Sequence, residues 1–85
     1  MRVDVALKRL LLVKSRTEAK EACDVGAVQV NAARARASTE VKVGDRIRVD
    51  YAQHTLEIEL LAEIGSNVSR AQAKTLYRVL RDEPS

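Results

Sequence analysis

The sequence predicts one α+β domain with two N-terminal helices, a small, mostly antiparallel sheet and a C-terminal helix. Two observations carry this prediction. Apolar residues recur at helical spacing before residue 25, and two runs between residues 46 and 60 alternate polar and apolar side chains as half-buried strands do. A chain of 85 residues has room for a single hydrophobic core, so these elements are expected to pack as one unit.

The first helix is expected from about Val3 to Val13. Its apolar stripe follows the i, i+3, i+4, i+7 pattern and consists of Val3, Ala6, Leu7, Leu10 and Leu11. Asp4 lies in the first turn, where a carboxylate favours the helix dipole, and Lys8 is its i+4 partner. Lys8 and Arg9 leave the apolar stripe and face outward.

The second helix begins at a capping box. The Ser15 hydroxyl is expected to accept from a backbone N–H of the first turn, and Glu18 to reach back to the N-cap amide. Arg16 and Lys20 lie one turn apart and project together. Gly26 stands where a left-handed residue usually ends a helix.

A short strand over residues 27–31 follows, and a basic loop comes after it. Arg34 and Arg36 alternate with small residues, so both are expected to point the same way from an extended segment. This loop adds two cations to those of the helices.

Residues 46–51 and 55–60 alternate cleanly and predict an antiparallel hairpin. Ile47, Val49 and Tyr51 are expected to face inward. Glu57 and Glu59 are expected on the exposed face.

A last helix is predicted from Ser69. Its apolar face consists of Ala73, Leu76, Tyr77 and Leu80, and a basic stripe consists of Arg70, Lys74, Arg78 and Arg81. That stripe is either a solvated helix face or a contact to RNA or an acidic partner. Residues 1–61 then form the main unit including the hairpin, and residues 62–85 form a linker and the C-terminal helix packed on it.

The positive charge is concentrated in the first half of the chain. The net charge is +3, yet residues 1–46 hold ten Lys and Arg against six Asp and Glu, whereas residues 47–85 hold five against six. One cationic face that attracts a polyanion explains this distribution. A solvated surface with uneven charge is the alternative.

Several classes of protein are disfavoured by composition. The single cysteine excludes an internal disulfide, and one cysteine with one histidine cannot form a structural zinc site. The apolar run at Leu10–Val13 is short for a signal peptide, and no stretch approaches the roughly 20 apolar residues that span a bilayer. We expect a cytoplasmic protein with no membrane contact and no cofactor.

The sequence does not predict an enzyme. Cys23 falls on the apolar face of the second helix, which indicates a buried structural thiol. His54 falls in a turn with no nucleophile nearby in sequence, which indicates an exposed loop histidine. A protein-interaction module that uses Val5, Leu12 and the last helix is a further alternative.

Four short segments follow one another in a particular order along the first half of the chain. They are Arg2-Val3-Asp4 with Leu7, Ser15-Arg16-Thr17 with Ala19, Gly26 to Asn31, and Val43 to Val49. This ordered set resembles the S4 RNA-binding domain family and covers about residues 2–50. By position, Arg2, Asp4 and Arg16 match the RNA-contacting surface of that family.

The size and the short C-terminal extension resemble the stand-alone members of the family that act in bacterial ribosome-associated quality control, with the small heat-shock RNA-binding group as close relatives. This resemblance implies contact with large-subunit rRNA and with peptidyl-tRNA, in support of C-terminal alanine tailing of stalled chains by a partner protein. A generic S4-like ribosome-assembly or heat-shock ribosome-binding factor is the alternative. A monomer suits such a small adaptor.

The predicted RNA-binding residues are Arg2, Asp4, Lys8, Arg9, Lys14, Ser15, Arg16, Thr17, Lys20, Asn31, Arg34 and Arg36. Arg16 is the strongest candidate, because its guanidinium can bind a phosphate through two hydrogen bonds beside the first-turn N–H groups. A salt bridge with a nearby acid is its alternative role. For the two hydroxyls that flank Arg16, capping is favoured over RNA contact.

Asp4 cannot bind phosphate itself. It is expected to orient Arg2 or Arg16, or to accept from a base or ribose. Pairing with Lys8 is the structural alternative. Phe and Trp are absent and only two Tyr are present, which favours recognition of folded RNA by its shape.

One turn departs from the family pattern. The family commonly has Asn-Gly after the first strand, whereas this chain has Asn31-Ala32. Either Ala32 adopts a positive φ at a steric cost, or the loop differs. The presentation of Arg34 and Arg36 depends on which of these holds.

Overall fold

Two helices lead into a five-stranded antiparallel sheet, and a one-turn helix precedes the last strand. This computed structural model describes residues 1–84. The helices are α1 (Val3–Arg9), α2 (Arg16–Asp24) and α3 (Arg70–Ala73). The strands are β1 (Val28–Val30), β2 (Ala33–Arg34), β3 (Arg46–Asp50), β4 (His54–Leu60) and β5 (Tyr77–Pro84). The order across the sheet is β2-β1-β3-β4-β5, with every neighbouring pair antiparallel, so the predicted α+β class is confirmed.

A single core joins α1 to one face of the sheet. The largest fully buried side chains are Leu7, Leu10, Ile47, Ile58, Val3 and Val28. Burying one such side chain contributes about 1.5–3 kcal/mol. This core fixes α1 and the start of α2 on the sheet. No helix among residues 1–84 is long and apolar enough to cross a membrane.

The prediction that the first helix continues to Val13 is wrong, because α1 ends at Arg9. The amide of Leu11 donates to the Lys8 carbonyl and that of Leu12 to the Leu7 carbonyl, the bond pair of a Schellman motif. Leu11 occupies the left-handed position of this motif, with φ of 61°. The apolar pattern continues past the stop since Leu10 and Val13 remain buried in the turn that follows.

The second helix begins and ends where the sequence predicts. Ser15 is the N-cap, and its hydroxyl accepts from the Glu18 amide at 3.1 Å. Gly26 follows the C-cap with φ of 78°, and its amide donates to the Cys23 carbonyl. The two helices therefore end in the same way, one with a glycine at the left-handed position and the other with a leucine.

The predicted C-terminal helix is confirmed only for its first turn. Ser69 caps it and accepts from the Gln72 amide, but the helix stops at Ala73 and residues 77–84 form strand β5. This strand pairs with β4 from Leu60↔Tyr77 onward. Pairing along the open edge of β4 overrides the helical pattern. Ser85, the last residue of the predicted segment, lies outside the described residues.

The change from helix to strand also breaks up the predicted basic stripe. A bulge skips Leu80, so the register places Arg78 opposite Glu59 and Arg81 opposite Glu57. On the other side of β4, Arg48 lies opposite Glu57 and Arg46 opposite Glu59. Each glutamate therefore lies between two arginines. The face predicted to be acidic and exposed is therefore half-buried along β4, and its two glutamates are outnumbered by the four arginines opposite them.

The β1–β2 turn has the backbone that the Asn-Gly pattern requires, without the glycine. Asn31 has φ of 51° and Ala32 has φ of 69°, both left-handed, as in a type I′ turn. The side-chain Nδ2 of Asn31 donates to Asp45 Oδ1 at 3.1 Å, and its side-chain Oδ1 accepts from the backbone amide of Arg46 at 3.0 Å. Ala32 therefore takes the strained conformation that the sequence left as one of two options.

Candidate nucleic-acid interface

A buried carboxylate joins the two arginines that the sequence singles out. Asp4 is 3% exposed, and its Oδ2 lies 3.2 Å from Arg2 Nη2 and 3.5 Å from Arg16 Nη2. Its Oδ1 accepts from the Val5 amide at 2.8 Å. Within residues 1–84 no ion pair joins Asp4 to Lys8. Of the roles considered, orientation of both arginines is the one that the geometry supports.

Arg16 combines an ion pair with an exposed side chain. One of its guanidinium nitrogens faces Asp4, and the side chain as a whole is 55% exposed. It is the first residue of α2, so it lies beside first-turn N–H groups that have no intrahelical partner. An exposed guanidinium with fixed orientation, at the positive end of a helix, is suited to bind a phosphate.

The two hydroxyls that flank Arg16 take different roles. The Ser15 hydroxyl is occupied by the cap hydrogen bond from Glu18. The Glu18 carboxylate accepts from the Lys14 amide at 3.4 Å, one residue before the N-cap amide that the capping box predicts. Thr17 is exposed in the first turn.

Arg2, Asp4 and Arg16 are called the Arg16 cluster below. Four other predicted RNA-binding residues are cations that surround it. Lys8, Lys14 and Lys20 are exposed, and Arg9 is half-buried. Lys8 is one turn after Asp4 on α1, and Lys20 is one turn after Arg16 on α2. These four residues add positive charge around Arg16, while Glu18 is the acid in the first turn of α2.

Arg34 lies at the opposite end of α2. Its Nη2 donates to the Asp24 carbonyl at 2.8 Å, and its guanidinium packs against Gly26, where an added Cβ would be 3.4 Å from it. Nine helical residues, about 13 Å, separate the two ends of α2. Arg34 thus satisfies a carbonyl at the C-terminus of the helix.

Arg36 begins the loop that connects these two ends. Its amide donates to Thr39 Oγ1, while the Ala37 carbonyl accepts from the Asp4 amide and the Thr39 carbonyl from the Val3 amide. Its exposed side chain and that of Arg34 line one shallow concavity beside Cys23 and Asp24. Asn31 lies apart from both groups, and its side-chain amide is already hydrogen-bonded within the protein.

Cys23, one of the two residues considered for catalysis, lies in the core. Cys23 is buried, and its burial, followed by the charges of Asp4 and Asp24, raises the pKa of the thiol. Among residues 1–84 no group of His, Cys, Asp and Glu is arranged to hold a metal ion. The absence of enzymatic activity stays a prediction.

Tyr51 fixes the α1–α2 corner to the sheet. Its hydroxyl donates to the Leu12 carbonyl at 2.6 Å, and its ring stacks on His54 with centroids 4.6 Å apart. Burial, followed by the nearby negative charge of Glu18, raises the pKa of Tyr51 to about 12. The sequence predicted an inward Tyr51 but gave no signal for this hydrogen bond.

Comparison with known proteins agrees with the resemblance drawn from the sequence. A family model described as the S4 domain matches residues 1–47, slightly more than half of the chain. A protein of Halalkalibacterium halodurans named RQC P-site tRNA stabilizing factor is 39% identical over 84 residues, which cover 99% of this chain and 94% of that protein. A Bacillus subtilis protein of the same name is 35% identical and covers 98% and 95% of the two chains.

A solved structure shares the fold. The trimeric structure of Vibrio cholerae heat shock protein 15 superposes with a TM-score of 0.86 at 25% identity, covering 93% of this chain and 80% of that one. The match extends well beyond residue 47, so it includes the β3–β4 hairpin and most of the C-terminal segment.

Proposed function

This chain belongs to the S4 domain family, and we propose that it binds structured rRNA and tRNA on the large ribosomal subunit in the quality control of stalled nascent chains. The names of the curated relatives support this role, and their likeness covers nearly the whole of this chain.

The observation that carries the proposal is the arrangement of Asp4 and Arg16. A buried acid holds an exposed guanidinium at the N-terminus of α2, and Arg2 shares the same carboxylate oxygen. Asp4 is buried while the Arg16 side chain is 55% exposed, so the cation remains accessible to an RNA phosphate. The pair is arranged to present positive charge in one direction.

We assign the contacts to RNA by position. Arg2 and Arg16 bind phosphates at the centre, and Asp4 orients them. The surrounding contacts come from Lys8, Arg9, Lys14, Lys20, Thr17 and Arg36. Three further residues that the sequence predicts to bind RNA are assigned a structural role instead, because the side chain of each forms a hydrogen bond within the protein. They are Ser15, Asn31 and Arg34.

The proposed partners rest on the resemblance to the quality-control members of the family. We propose that the protein acts in the cytoplasm as a monomer, contacts large-subunit rRNA and peptidyl-tRNA, and thereby supports C-terminal tailing of the stalled chain by a second protein. The alternative is a generic ribosome-assembly or heat-shock ribosome-binding factor of this family, since heat shock protein 15 shares the fold.

Sedimentation with purified large subunits tests the proposal. Subunits with and without trapped peptidyl-tRNA are compared for the wild type, Arg16→Glu and the matched control Lys42→Glu, since Lys42 is exposed and lies outside the Arg16 cluster. We expect a preference for the obstructed subunits that Arg16→Glu loses and Lys42→Glu keeps. Equal binding to both subunits would favour the general factor. No binding by the wild type at low salt, where electrostatic contacts are strongest, would overturn the proposal.

A further inference from the structure

We propose that a groove beside the Arg16 cluster binds unpaired nucleotides of the same RNA; this inference rests on the proposed function. We call it the corner groove. It is open, has a volume of about 660 Å³ and lies between the α1–α2 corner, Tyr51 and α3. Its lining includes Lys8, Leu11, Lys14, Tyr51, Arg70 and Tyr77.

Cations form the rim of the corner groove. Lys8, Lys14, Arg70 and Lys74 are exposed, and within residues 1–84 none of them forms an ion pair. Glu18 is the one acid of the lining, and its carboxylate accepts from the Lys14 amide. By contrast, Arg78 of the former basic stripe pairs with Glu59. The groove therefore brings together cations that have no acidic partner among residues 1–84.

The floor of the corner groove is aromatic and aliphatic. The chain has two tyrosines and neither Phe nor Trp, and both Tyr51 and Tyr77 line this groove. Leu11 adds an apolar side chain that is 50% exposed, on a backbone with a φ of 61° that leucine rarely adopts. Flat apolar surfaces below a cationic rim are the features by which proteins hold unstacked bases and their phosphates.

The corner groove is continuous with the Arg16 cluster. Lys8 is one helical turn from Asp4 on α1, and Lys14 directly precedes the Ser15 cap of α2. A strand that leaves a duplex bound at Arg16 can therefore enter the groove past Lys14, with Glu18 as the one acid of the lining. An acidic peptide could satisfy the rim, but this continuity and the tyrosine floor favour RNA.

Two RNA probes distinguish binding in the corner groove from binding at the Arg16 cluster. One probe is a stem-loop RNA, and the other is the same stem-loop with a six-uridine 3′ tail. We expect the wild type to bind the tailed RNA roughly tenfold more tightly, as expected for stacking of one base. The double variant Arg70→Gln/Lys74→Gln should lose this preference and keep its affinity for the stem-loop. The control Lys42→Gln/Arg81→Gln loses the same charge and should keep the preference.

Tyrosine emission gives a second readout, because the protein has no Trp and both tyrosines line the groove. The tailed RNA should quench it in the wild type and in the control variant, and much less in Arg70→Gln/Lys74→Gln.

The other outcomes overturn either the groove proposal or the proposed function. Equal wild-type affinity for the two RNAs, or a tail preference that survives in Arg70→Gln/Lys74→Gln, would overturn the groove proposal alone. Binding of a decaglutamate peptide without any tail preference would make the groove a protein-docking surface, and would also overturn it. If the wild type binds neither the two RNAs nor the obstructed subunits, the proposed function itself is overturned.

Discussion

Asp4 Oδ2 lies 3.5 Å from Arg16 Nη2, and the carboxylate is buried while the guanidinium is half exposed. The acid comes from the first turn of α1 and the base from the first residue of α2. Because the core fixes both helices on the sheet, the fold brings this carboxylate and this guanidinium together.

Asp4→Asn should weaken binding to obstructed large subunits roughly tenfold. The asparagine can still accept from the Val5 amide, but it no longer holds the arginines, and one charge-assisted hydrogen bond contributes about 1.5 kcal/mol or more. The variant is more positive than the wild type, so a purely long-range attraction predicts tighter binding. Titration of labelled protein with subunits decides the matter, and unchanged or tighter binding would contradict an orienting role for Asp4.

Ala32→Gly should raise the free energy of unfolding by about 1 kcal/mol, because Ala32 has φ of 69° and glycine adopts that conformation without a steric cost. For a domain of this size the melting temperature should rise by roughly 4–8 °C. Ala33→Gly, one residue later in β2, should instead lower stability. A lower melting temperature for Ala32→Gly would mean that the turn is not strained. RNA binding should be unchanged.

Leu11→Gly should separate stability from binding. Glycine relieves the left-handed residue at the end of α1, but the half of the leucine side chain that is buried loses its contacts. The free energy of unfolding should therefore change by less than about 1 kcal/mol. The same change removes part of the groove floor, so binding of the tailed RNA should weaken while stem-loop binding stays. A protein of similar stability with full tail preference would show that Leu11 is dispensable in the groove.

Stability should fall as the pH rises from about 10 to about 12. The folded state raises the pKa of Tyr51 from its usual 10 to about 12, mainly through burial, so the folded protein retains this proton after the unfolded chain has lost it. The stabilisation is complete below pH 10 and is lost through that window. Tyr51→Phe should remove this part of the dependence.

Denaturant unfolding at several pH values measures this effect. At neutral pH, Tyr51→Phe should cost about 1 kcal/mol, because the Leu12 carbonyl loses its donor. Wild-type and Tyr51→Phe curves that run parallel from pH 9 to 12 would show that Tyr51 does not titrate in this way.

The sequence correctly predicts those structural features that depend on residues close together in the chain. The Ser15 and Ser69 caps and the Gly26 stop depend on residues within one helical turn, so their side-chain chemistry is visible in the chain itself. The β3–β4 hairpin was equally readable, because its alternation has a period of two and the turn is short.

Errors arose where distant pairing decides the structure. Tyr77 and Val79 suit a strand as well as a helix, and only the open edge of β4 selects the strand. The end of α1 was missed since Leu11 occupies a position where glycine is the usual signal. The role of Arg34 at the C-terminus of α2 required knowing that β2 folds back beside that helix.

The candidate site was predictable in part. Asp4 and Arg16 lie twelve residues apart, so their pairing came from family position and not from spacing. The corner groove was not predictable, because Arg70 belonged to an expected long helical stripe, whereas the one-turn α3 places it in the same groove as Lys14.

The salt dependence of binding to obstructed large subunits is the most direct measurement of whether Arg16 contacts an RNA phosphate. One lost phosphate contact lowers the slope of log K against log salt by about 0.7–0.9. Arg16→Gln should show that reduction relative to the wild type, and Lys42→Gln should show none. Parallel lines for the wild type and Arg16→Gln would place the RNA elsewhere on the protein.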